Sequence, residues 1–421
     1  MALLRTQGHS AFLEWQLDPS SIDDSVCDAF LAQFPTLNLL PHELYAYDPN
    51  VVRTELMRAC VARGILSRRQ LYERMVEFWT DHFNVTARDV GHLKPIDDRN
   101  VIRAHALGNF SDLLHASAQS PAMIAYLDNN TNVAGRPNEN YARELLELHT
   151  VGVNGGYSQS DVSEVAKCFT GWTYYNRPSD GVLQGTFRFM EARHETGVKT
   201  VMGQAIASGG IQDGLAVLDL LASHPNTAKY VGKKLIRWLL DEEPSTGLVN
   251  AVAATWTATQ GDIKAVVRAI LSPENIANAP FKLKRPFHVM VATVRALRAN
   301  VQSVNSVPAW LGAAGNQPYA WPAPDGYPDD SDHWKDLLLP RWNFPAAVVA
   351  GSVAGLSVAL STTMRDPRQL VSRINAEVFH GTMDAQTSAI LSQFARGGRL
   401  TAQRCLDAYG LALASPQFQW F

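Results

Sequence analysis

The chain has 421 residues, of which 46% are hydrophobic and 18% are charged, and its formal net charge is −3. This composition is typical of a globular protein with a sizeable core, and the charge balance argues against nucleic acid or an anionic membrane as a partner. No apolar stretch approaches the roughly 20 residues that a helix needs to span a bilayer, so no membrane span is expected.

The cysteines stand far apart, at Cys27, Cys60, Cys168 and Cys405. They form no Cys-x-x-Cys pair, which argues against a thiolate zinc site and against a disulfide framework. The first residues lack the apolar region of a secretory signal peptide. A cytoplasmic location is therefore the default.

The first third of the chain predicts short helices. They are Ser10–Leu17, Ser25–Phe34, Val51–Arg63 continuing to Ser67, Arg99–Leu107, Phe110–Ser117 and a turn opened by Pro121. Between Leu71 and Phe83, apolar residues recur three and four positions apart, which predicts an amphipathic helix with His82 on its apolar side. A lone histidine there is either a core residue or a metal ligand.

The densest polar pattern runs from Asn138 to Gly152 and predicts one helix. Asn138 is a good N-cap, and Gly152 stands where a helix is expected to end. One arc of roughly 140° contains every polar side chain of its first three turns. These residues are Glu139, Asn140, Arg143, Glu144 and Glu147. The other faces are apolar, so the arc is either a functional or buried polar surface or a solvated ladder of i,i+4 pairs.

Downstream, residues 180–205 predict a small β-hairpin that pairs Thr186–Phe189 with Val198–Val201. Helices are expected at Val162–Phe169, Ile211–Ser223, Asn226–Leu240, Gly247–Thr257, Asp262–Leu271, Arg285–Arg298, Phe344–Leu360, Asp366–Phe379, Asp384–Phe394 and Thr401–Ala414. Residues 312–331 form a long loop rich in proline, glycine and aromatic residues, of the kind that packs over a site. The predicted fold is mainly α, a single large multi-helix domain over residues 1–421 with one small β-hairpin insertion.

Several of these motifs together resemble the bacterial family known as domain of unknown function 1800. They are the run from Asn138 to Leu148 with Gly152, Tyr157, Asp161 and Thr170-Gly171-Trp172, then Phe78-Trp79 with His82-Phe83, Tyr126-Leu127-Asp128-Asn129, and His194 with Gly197, Lys199 and Gly203. The resemblance implies no activity. It implies a protein partner from a neighbouring alkaline-phosphatase-like family, and because members begin further upstream it leaves export open. Glu195 stands where the family has Asp.

The chain has no His-Glu-x-x-His, P-loop, Gly-x-Gly-x-x-Gly or Gly-x-Ser-x-Gly motif, which argues against kinase, dinucleotide-binding and serine-hydrolase functions. Two hypotheses remain. The first is a hydrolase-like enzyme that uses carboxylate or metal-assisted acid–base chemistry, acts on a polysaccharide or other polymer, and is centred on the 138–152 helix. The second is a non-catalytic partner or scaffold protein, in which the polar helix is a buried structural network.

The enzyme hypothesis gives roles to particular residues. The candidate catalytic residues are Glu144, Glu139, Arg143 and Asp128. For Asp128 a second interpretation is open, in which it belongs to a turn that ends a helix. The candidate substrate-binding residues are Asn140, Trp79, Trp172, Lys199 and Trp321. His82 and His194 are the candidate ligands of a divalent metal.

Overall fold

Helix starts in this chain are fixed by proline and by capping side chains. Ser158 shows how: its Oγ accepts from the Asp161 N–H, while the Asp161 carboxylate accepts from the Ser158 N–H at 2.7 Å. This capping box satisfies two backbone donors that the first turn leaves unpaired. Ser158 is therefore the N-cap of the helix Gln159–Cys168.

The structure, a computed structural model, describes residues 2–421, with the side chains at positions 2, 3 and 5 outside the description. The first α-helices are α1 (Ala2–Leu17), α2 (Ser25–Leu31), α3 (Pro41–Leu44), α4 (Pro49–Leu66), α5 (Gln70–His82), α6 (Ala87–Val90), α7 (Lys94–Asp97), α8 (Phe110–Ala118) and α9 (Pro121–Tyr126). The middle helices are α10 (Asn140–Glu144), α11 (Gln159–Cys168), α12 (Ile211–Ala222), α13 (Pro225–Leu239), α14 (Thr246–Ala258), α15 (Ile263–Ile270), α16 (Pro273–Ala277) and α17 (Pro286–Ala296).

The last helices are α18 (Val307–Ala313), α19 (Ser331–Trp334), α20 (Leu338–Val349), α21 (Pro367–Val378), α22 (Ala385–Arg396), α23 (Ala402–Ala414) and α24 (Pro416–Gln419). Short 3-10 turns lie at Pro19–Ser21, Pro35–Asn38, Gly91–Leu93, Asn129–Thr131, Pro178–Leu183 and Glu191–Arg193. Two π-helical turns lie at Asp98–Arg103 and Leu145–His149. The mainly α fold predicted from the sequence is confirmed. No helix within residues 2–421 combines the length and apolarity that crossing a membrane requires.

The strands pair differently from the predicted hairpin. Each sheet is an antiparallel pair: β1 (Trp172–Tyr174) with β2 (Phe187–Phe189), β3 (Lys199–Val201) with β4 (Gln204–Ile206), and β5 (Asn300–Val301) with β6 (Leu356–Ser357). The expected pairing of Thr186–Phe189 with Val198–Val201 is therefore wrong. Met202 and Gly203 both have positive φ, at 47° and 80°, which suits the tight two-residue turn that folds β3 onto β4 instead.

The predicted central helix is also divided. Only Asn140–Glu144 is α-helical, and Leu145–His149 continues as a π-helical turn. A π-turn has more residues per turn than an α-helix, so side chains after Glu144 do not continue the face predicted at 100° per residue. The chain leaves the turn at Gly152, whose φ is +80° and whose Cβ, if present, would lie 2.6 Å from the Tyr230 ring.

A second predicted helix, Phe344–Leu360, ends early. Helix α20 starts at Leu338 and stops at Val349, just before Gly351 with φ +69°. The residues after it return to form β6 against β5. The glycine allows a left-handed turn that L side chains rarely adopt, and this turn redirects the chain.

The buried apolar side chains form two large clusters. The first cluster includes side chains from α5, α8, α11, α13 and α15. The second includes side chains from α4, α17, α20, α21 and α23. Helix α5 belongs to the first cluster and α17 to the second, so the space between these two helices is a seam between the cores.

The loop predicted at 312–331 packs across one end of this seam. Asn84 Nδ2 donates to the carbonyl oxygens of Trp321 and Ala323, and the Tyr126 hydroxyl donates to that of Pro322 at 2.7 Å. Gly326 has φ +75°, and a Cβ there would lie 2.1 Å from the carbonyl oxygen of Asp81. This loop therefore needs glycine at its closest approach to α5.

Leu145 has no exposed surface, whereas Leu148, also expected in the core, is half-buried. Leu145→Ala should therefore lower the free energy of unfolding by about 2–5 kcal/mol because it leaves a cavity in the first core. Leu148→Ala is the matched control and should cost less. Chemical denaturation of both variants measures the difference. A loss below about 1 kcal/mol for Leu145→Ala would mean that the π-helical turn contributes little to the core.

Candidate functional site

The first predicted catalytic residue, Glu139, belongs to a surface network. Its carboxylate accepts from Ser163 Oγ at 2.5 Å, Gln159 Nε2 at 2.7 Å and Arg143 Nη2 at 3.1 Å. These hydrogen bonds, that of Ser163 first, lower the pKa of Glu139, although its partial burial opposes them. The Ser163 and Gln159 contacts join the start of α10 to α11, and Arg143, one turn further along α10, also donates to Gln159. Glu139 and Arg143 therefore have a structural role.

Glu144 is different, because it is half-buried and makes no hydrogen bond or ion pair with any residue that the structure describes. Burial raises the pKa of Glu144, and the nearby carboxylates of Glu147 and Asp325 raise it further. The positive charge of Arg143 lowers this pKa but does not outweigh them. Asp325 comes from the long loop, so Glu144 faces the loop rather than a cation. The remaining polar candidates on this side, Asp128 and Asn140, are exposed to solvent.

Three of the candidate substrate-binding residues lie in the core. Trp79 and Trp172 have no exposed surface, and Trp79 Nε1 donates to the Ala106 carbonyl oxygen at 3.0 Å. Lys199 is also buried and pairs with Asp213 at 2.6 Å. Their side chains are used in packing and in a buried ion pair, and the assignment of these residues to a substrate stays a prediction. Trp321 is half-exposed on the loop, where its Nε1 donates to Asp325.

The two candidate metal ligands have separate surroundings. His82 Nε2 donates to the His149 carbonyl oxygen at 3.0 Å, and burial keeps the pKa of His82 well below its usual value. The ring nitrogens of His194 contact the Thr170 carbonyl oxygen and the Asp213 carboxylate, each at 2.9 Å. No residue in the described range is a hydrogen-bond or ring partner of both histidines. Within residues 2–421, moreover, no three His, Cys, Asp or Glu side chains are grouped so as to hold a metal ion.

A different set of residues meets at the seam between the cores. We call it the charged centre, and it consists of Arg74, Glu77 and Asp81 of α5 with Arg285 and His288 at the start of α17. Residues 74, 77 and 81 lie on one side of α5, because positions three and four apart stack on the same helix face. The opposite side of α5 carries Met75, Phe78 and Trp79 into the first core.

Arg285 joins α17 to α5 and to the long loop. Its Nη1 donates to Asp81 Oδ2 at 2.5 Å, and its Nη2 donates to the Tyr327 carbonyl oxygen at 3.2 Å and lies 3.6 Å from Asp329 Oδ1. Lys282 pairs with the same Asp329 carboxylate at 2.7 Å. Each buried cation thus has a carboxylate partner, which offsets the cost of removing charge from water.

The second contact of the charged centre places an imidazole between opposite charges. His288 Nε2 lies 2.9 Å from both carboxylate oxygens of Glu77, and Arg74 Nη1 contacts the ring nitrogens from the other side. Burial, reinforced by Arg74, lowers the pKa of His288 to about 4. The imidazole is therefore neutral near pH 7 and can donate at one nitrogen while it accepts at the other.

Trp238 lies against the cations of this centre. The guanidinium carbons of Arg74 and Arg285 are 4.1 Å and 4.4 Å from the centroid of its ring, and its Nε1 donates to the Arg74 carbonyl oxygen. Cation–π contacts of this kind are stronger away from water. Lys234 and Arg237 of α13 line the same space as this tryptophan.

The two carboxylates of α5 have opposite pKa shifts. Burial raises the pKa of Asp81 to about 6, even though Arg285 lies beside it and opposes the rise. Burial also acts on Glu77, but His288 and Arg74 outweigh it and lower the pKa of Glu77 to about 2. A pair of carboxylates one helical turn apart, one ionised and one titrating near neutrality, is a common arrangement at sites of acid–base chemistry.

Three adjoining cavities surround the charged centre. The central cavity, about 180 Å³, is lined by all five residues of the centre and by apolar side chains including Val76, Phe287 and Tyr319. The loop cavity, about 300 Å³, shares Asp81, Arg285 and Tyr327 with it and lies beneath residues 325–330. The outer groove, about 600 Å³, shares Arg74 and His288 with it and reaches Phe418 and Phe421. The charged centre thus lies in the middle of an extended space.

Sequence reasoning missed this site because it considered only the apolar side of α5. A usable signal was present, since Glu73, Glu77 and Asp81 recur every four residues with Arg74 beside them. At 100° per residue these four fall within about 100° of arc, opposite the apolar stripe. Their partner Arg285 is more than 200 positions away, and nothing local links it to α5.

Comparison with known proteins gives one match. The model of a family described as a protein of unknown function, DUF1800, matches residues 1–420. Among curated proteins and among solved structures, nothing matches. The comparisons therefore supply a family and no activity.

Glu144→Gln tests the residue that the sequence favoured. Because Glu144 pairs with no described cation, the variant leaves no buried charge unpaired, and the free energy of unfolding should change by less than about 0.5 kcal/mol. Denaturant titration at pH 7 measures this. A loss of about 3–5 kcal/mol would instead place Glu144 in a buried ion pair.

Proposed function

The chain belongs to the DUF1800 family of proteins of unknown function, and because that family carries no assigned activity, we propose one from the charged centre. The protein is a hydrolase in which Asp81 acts as general base and then as general acid on an ester bond. The observation that carries this proposal is the place of Asp81. It is a largely buried carboxyl, with 16% of its side chain exposed and a pKa of about 6, in the wall that the central and loop cavities share, beside an arginine.

The chemistry needs a base that is ionised near neutral pH. It also needs a hydrogen-bond donor that stabilises the negative charge developing on the carbonyl oxygen. Above its pKa, Asp81 can take a proton from a water molecule as that water adds to the ester carbonyl. The guanidinium groups of Arg285 and Arg74 can stabilise the resulting oxyanion, most effectively where water is excluded. Asp81 then returns the proton to the departing alcohol oxygen. The acid product loses its remaining proton to solvent and leaves as a carboxylate.

Glu77 sets the conditions for this step. It stays ionised because His288 and Arg74 hold it, and its negative charge adds to burial in raising the pKa of Asp81. The three cavities in series suit an extended substrate whose reacting bond lies at the middle, as in a polymer. Arg285 pairs with Asp81 and so fixes the carboxylate against α17.

Asp81→Asn should lower the rate of ester hydrolysis by about 10²–10⁴-fold, the usual contribution of a general base. We expect the rate of hydrolysis by the wild type to fall as the pH is lowered, with a midpoint near pH 6. Glu77→Gln should move that midpoint to lower pH. Chromatographic assay of p-nitrophenyl acetate, butyrate and dodecanoate hydrolysis measures both. Asp219→Asn, an exposed carboxylate far from the cavities in sequence, is the matched control.

The opposite pattern would overturn the proposal. If Asp81→Asn keeps full activity on esters that the wild type hydrolyses, and Glu144→Gln loses it, the carboxylate on the central helix does the chemistry. If the wild type hydrolyses none of these esters, the proposal fails for ester substrates.

Stability separates a catalytic Asp81 from a structural one. Its folded pKa of about 6 exceeds the usual 3.8, so Asp81 contributes stability that is present below about pH 4 and lost as pH rises through about 6. At pH 7.5 Asp81→Asn should therefore be as stable as the wild type or more stable, by at most about 3 kcal/mol. The difference should shrink on acidification to pH 4.5. Thermal melting at the two pH values measures it, and a loss of about 3–5 kcal/mol at pH 7.5 would mark a purely structural ion pair.

A further inference from the structure

The outer groove differs in chemistry from the other two cavities. It is lined by twelve residues, among them Arg74, Arg295, Ala292, Ala296 and Phe421. Seven of these twelve are aliphatic or aromatic side chains without a charge or a hydrogen-bonding group, and none is a carboxylate. The groove therefore combines apolar walls with two arginines.

Arg295 forms no ion pair with a described carboxylate, although the charge of Asp24 acts on it from a greater distance. Its Nη1 donates to the carbonyl oxygens of Gly64, Ile65 and Ser67, between 2.8 Å and 3.2 Å, where α4 ends. Its Nη2 and Nε make no hydrogen bond with a described residue, and no carboxylate in the described range lies within 4.0 Å of it. Carbonyl dipoles hold this cation in place, and two of its donors stay available for an anion.

Arg74 supplies the second cation, at the junction with the central cavity. Its guanidinium lies over Trp238 and, at 5.5 Å from its centroid, over the ring of Phe421. The nearest carboxylate, Glu77, is 3.8 Å from its Nη1. The junction is thus positive on the side that faces the groove.

We propose that the outer groove binds the acyl chain of the substrate, so that the ester hydrolysed at Asp81 is an ester of a long-chain aliphatic acid. The chain lies along the apolar wall of α17 and the C-terminal segment, and the carboxylate formed on hydrolysis meets Arg74 and Arg295. In that step water adds to the carbonyl carbon, the bond from that carbon to the alcohol oxygen breaks, and the alcohol takes its proton from Asp81. The link to hydrolysis rests on the proposed function, whereas binding of the acid is independent of it.

The test is direct binding of sodium dodecanoate to the full chain at pH 7.5 by titration calorimetry. Affinity should rise about threefold to fourfold per added methylene in a series from hexanoate to dodecanoate, since each buried methylene contributes a similar increment. Dodecan-1-ol should bind about tenfold more weakly than dodecanoate, because it lacks the charge that the arginines recognise.

Substitutions in the outer groove test whether dodecanoate binds there. Ala292→Phe and Ala296→Phe put a ring into the groove and should reduce dodecanoate binding at least tenfold, whereas Ala254→Phe, on the exposed side of α14, should leave it unchanged. Arg295→Gln should weaken binding about tenfold, and Arg295→Lys, which keeps the charge, should recover part of that loss. Melting curves confirm that each variant is folded.

Two results would overturn the inference. One is equal binding of dodecanoate by the wild type and by both groove-filling variants, which would mark an adventitious apolar site. The other is equal affinity for dodecanoate and dodecan-1-ol. Asp219→Asn, at an exposed carboxylate outside the groove, should bind dodecanoate as the wild type does. Binding without hydrolysis would end the proposed function alone, and hydrolysis without binding would end this inference alone.

Discussion

Arg285 is a cation removed from water between two apolar cores, and much of the seam follows from how its charge is satisfied. Asp81 lies 2.5 Å from it, Asp329 lies 3.6 Å away, and the Trp238 ring lies beneath it. These partners come from α5, the long loop and α13. A buried guanidinium without them would cost several kcal/mol, so the three elements are held in register by one side chain.

The arrangement of these three elements around Arg285 also leaves cavities between the two cores. Charged side chains need space for their hydrogen-bonding geometry, and they do not interdigitate as apolar side chains do, which is consistent with cavities at the seam rather than a continuous core. The central cavity, at about 180 Å³, lies where α4, α5 and α17 meet, and Tyr327 of the loop lines it from one side. Binding sites are often found where two cores adjoin. The same ion pairs that join the cores therefore also line the space in which a substrate would lie.

The polar features of the chain fall into three physical classes. Glu139 and Arg143 bridge two helices at the surface, where an ion pair contributes little to stability. Lys199 and Asp213 are fully buried and matched, with no cavity beside them that a ligand would enter among those described above. Glu77 and Asp81 are partly exposed, by 21% and 16% of their side chains, adjoin a cavity and have pKa values shifted in opposite directions. Only the third class combines access, charge and a proton that can move near neutral pH, which is why the proposed chemistry is placed there.

The sequence by itself determined the mainly α class, most helix positions and the family. These depend on information that is local: a 3.6-residue period, a capping serine or a proline at a helix start. It also predicted the 312–331 loop as a cover over a site, and residues 325–330 of that loop line the loop cavity. The sequence did not predict the strand pairing or the division of the 138–152 helix. A two-residue turn with positive φ and a π-helical turn change the backbone geometry without changing the pattern of apolar and polar residues.

The site itself was decided by the tertiary structure. In the sequence, Glu144 and Asp81 are both carboxylates on helices, and the Glu144 helix has the more conspicuous polar pattern. What separates them is the partner: Asp81 pairs with Arg285 across 204 positions, whereas Glu144 makes no hydrogen bond or ion pair with a described residue. A pKa depends on burial and on charges nearby in space, and neither can be obtained from neighbours in the chain. The sequence therefore shows where the carboxylates stand in the chain. The contact of α17 with α5 determines which of them adjoins a cavity.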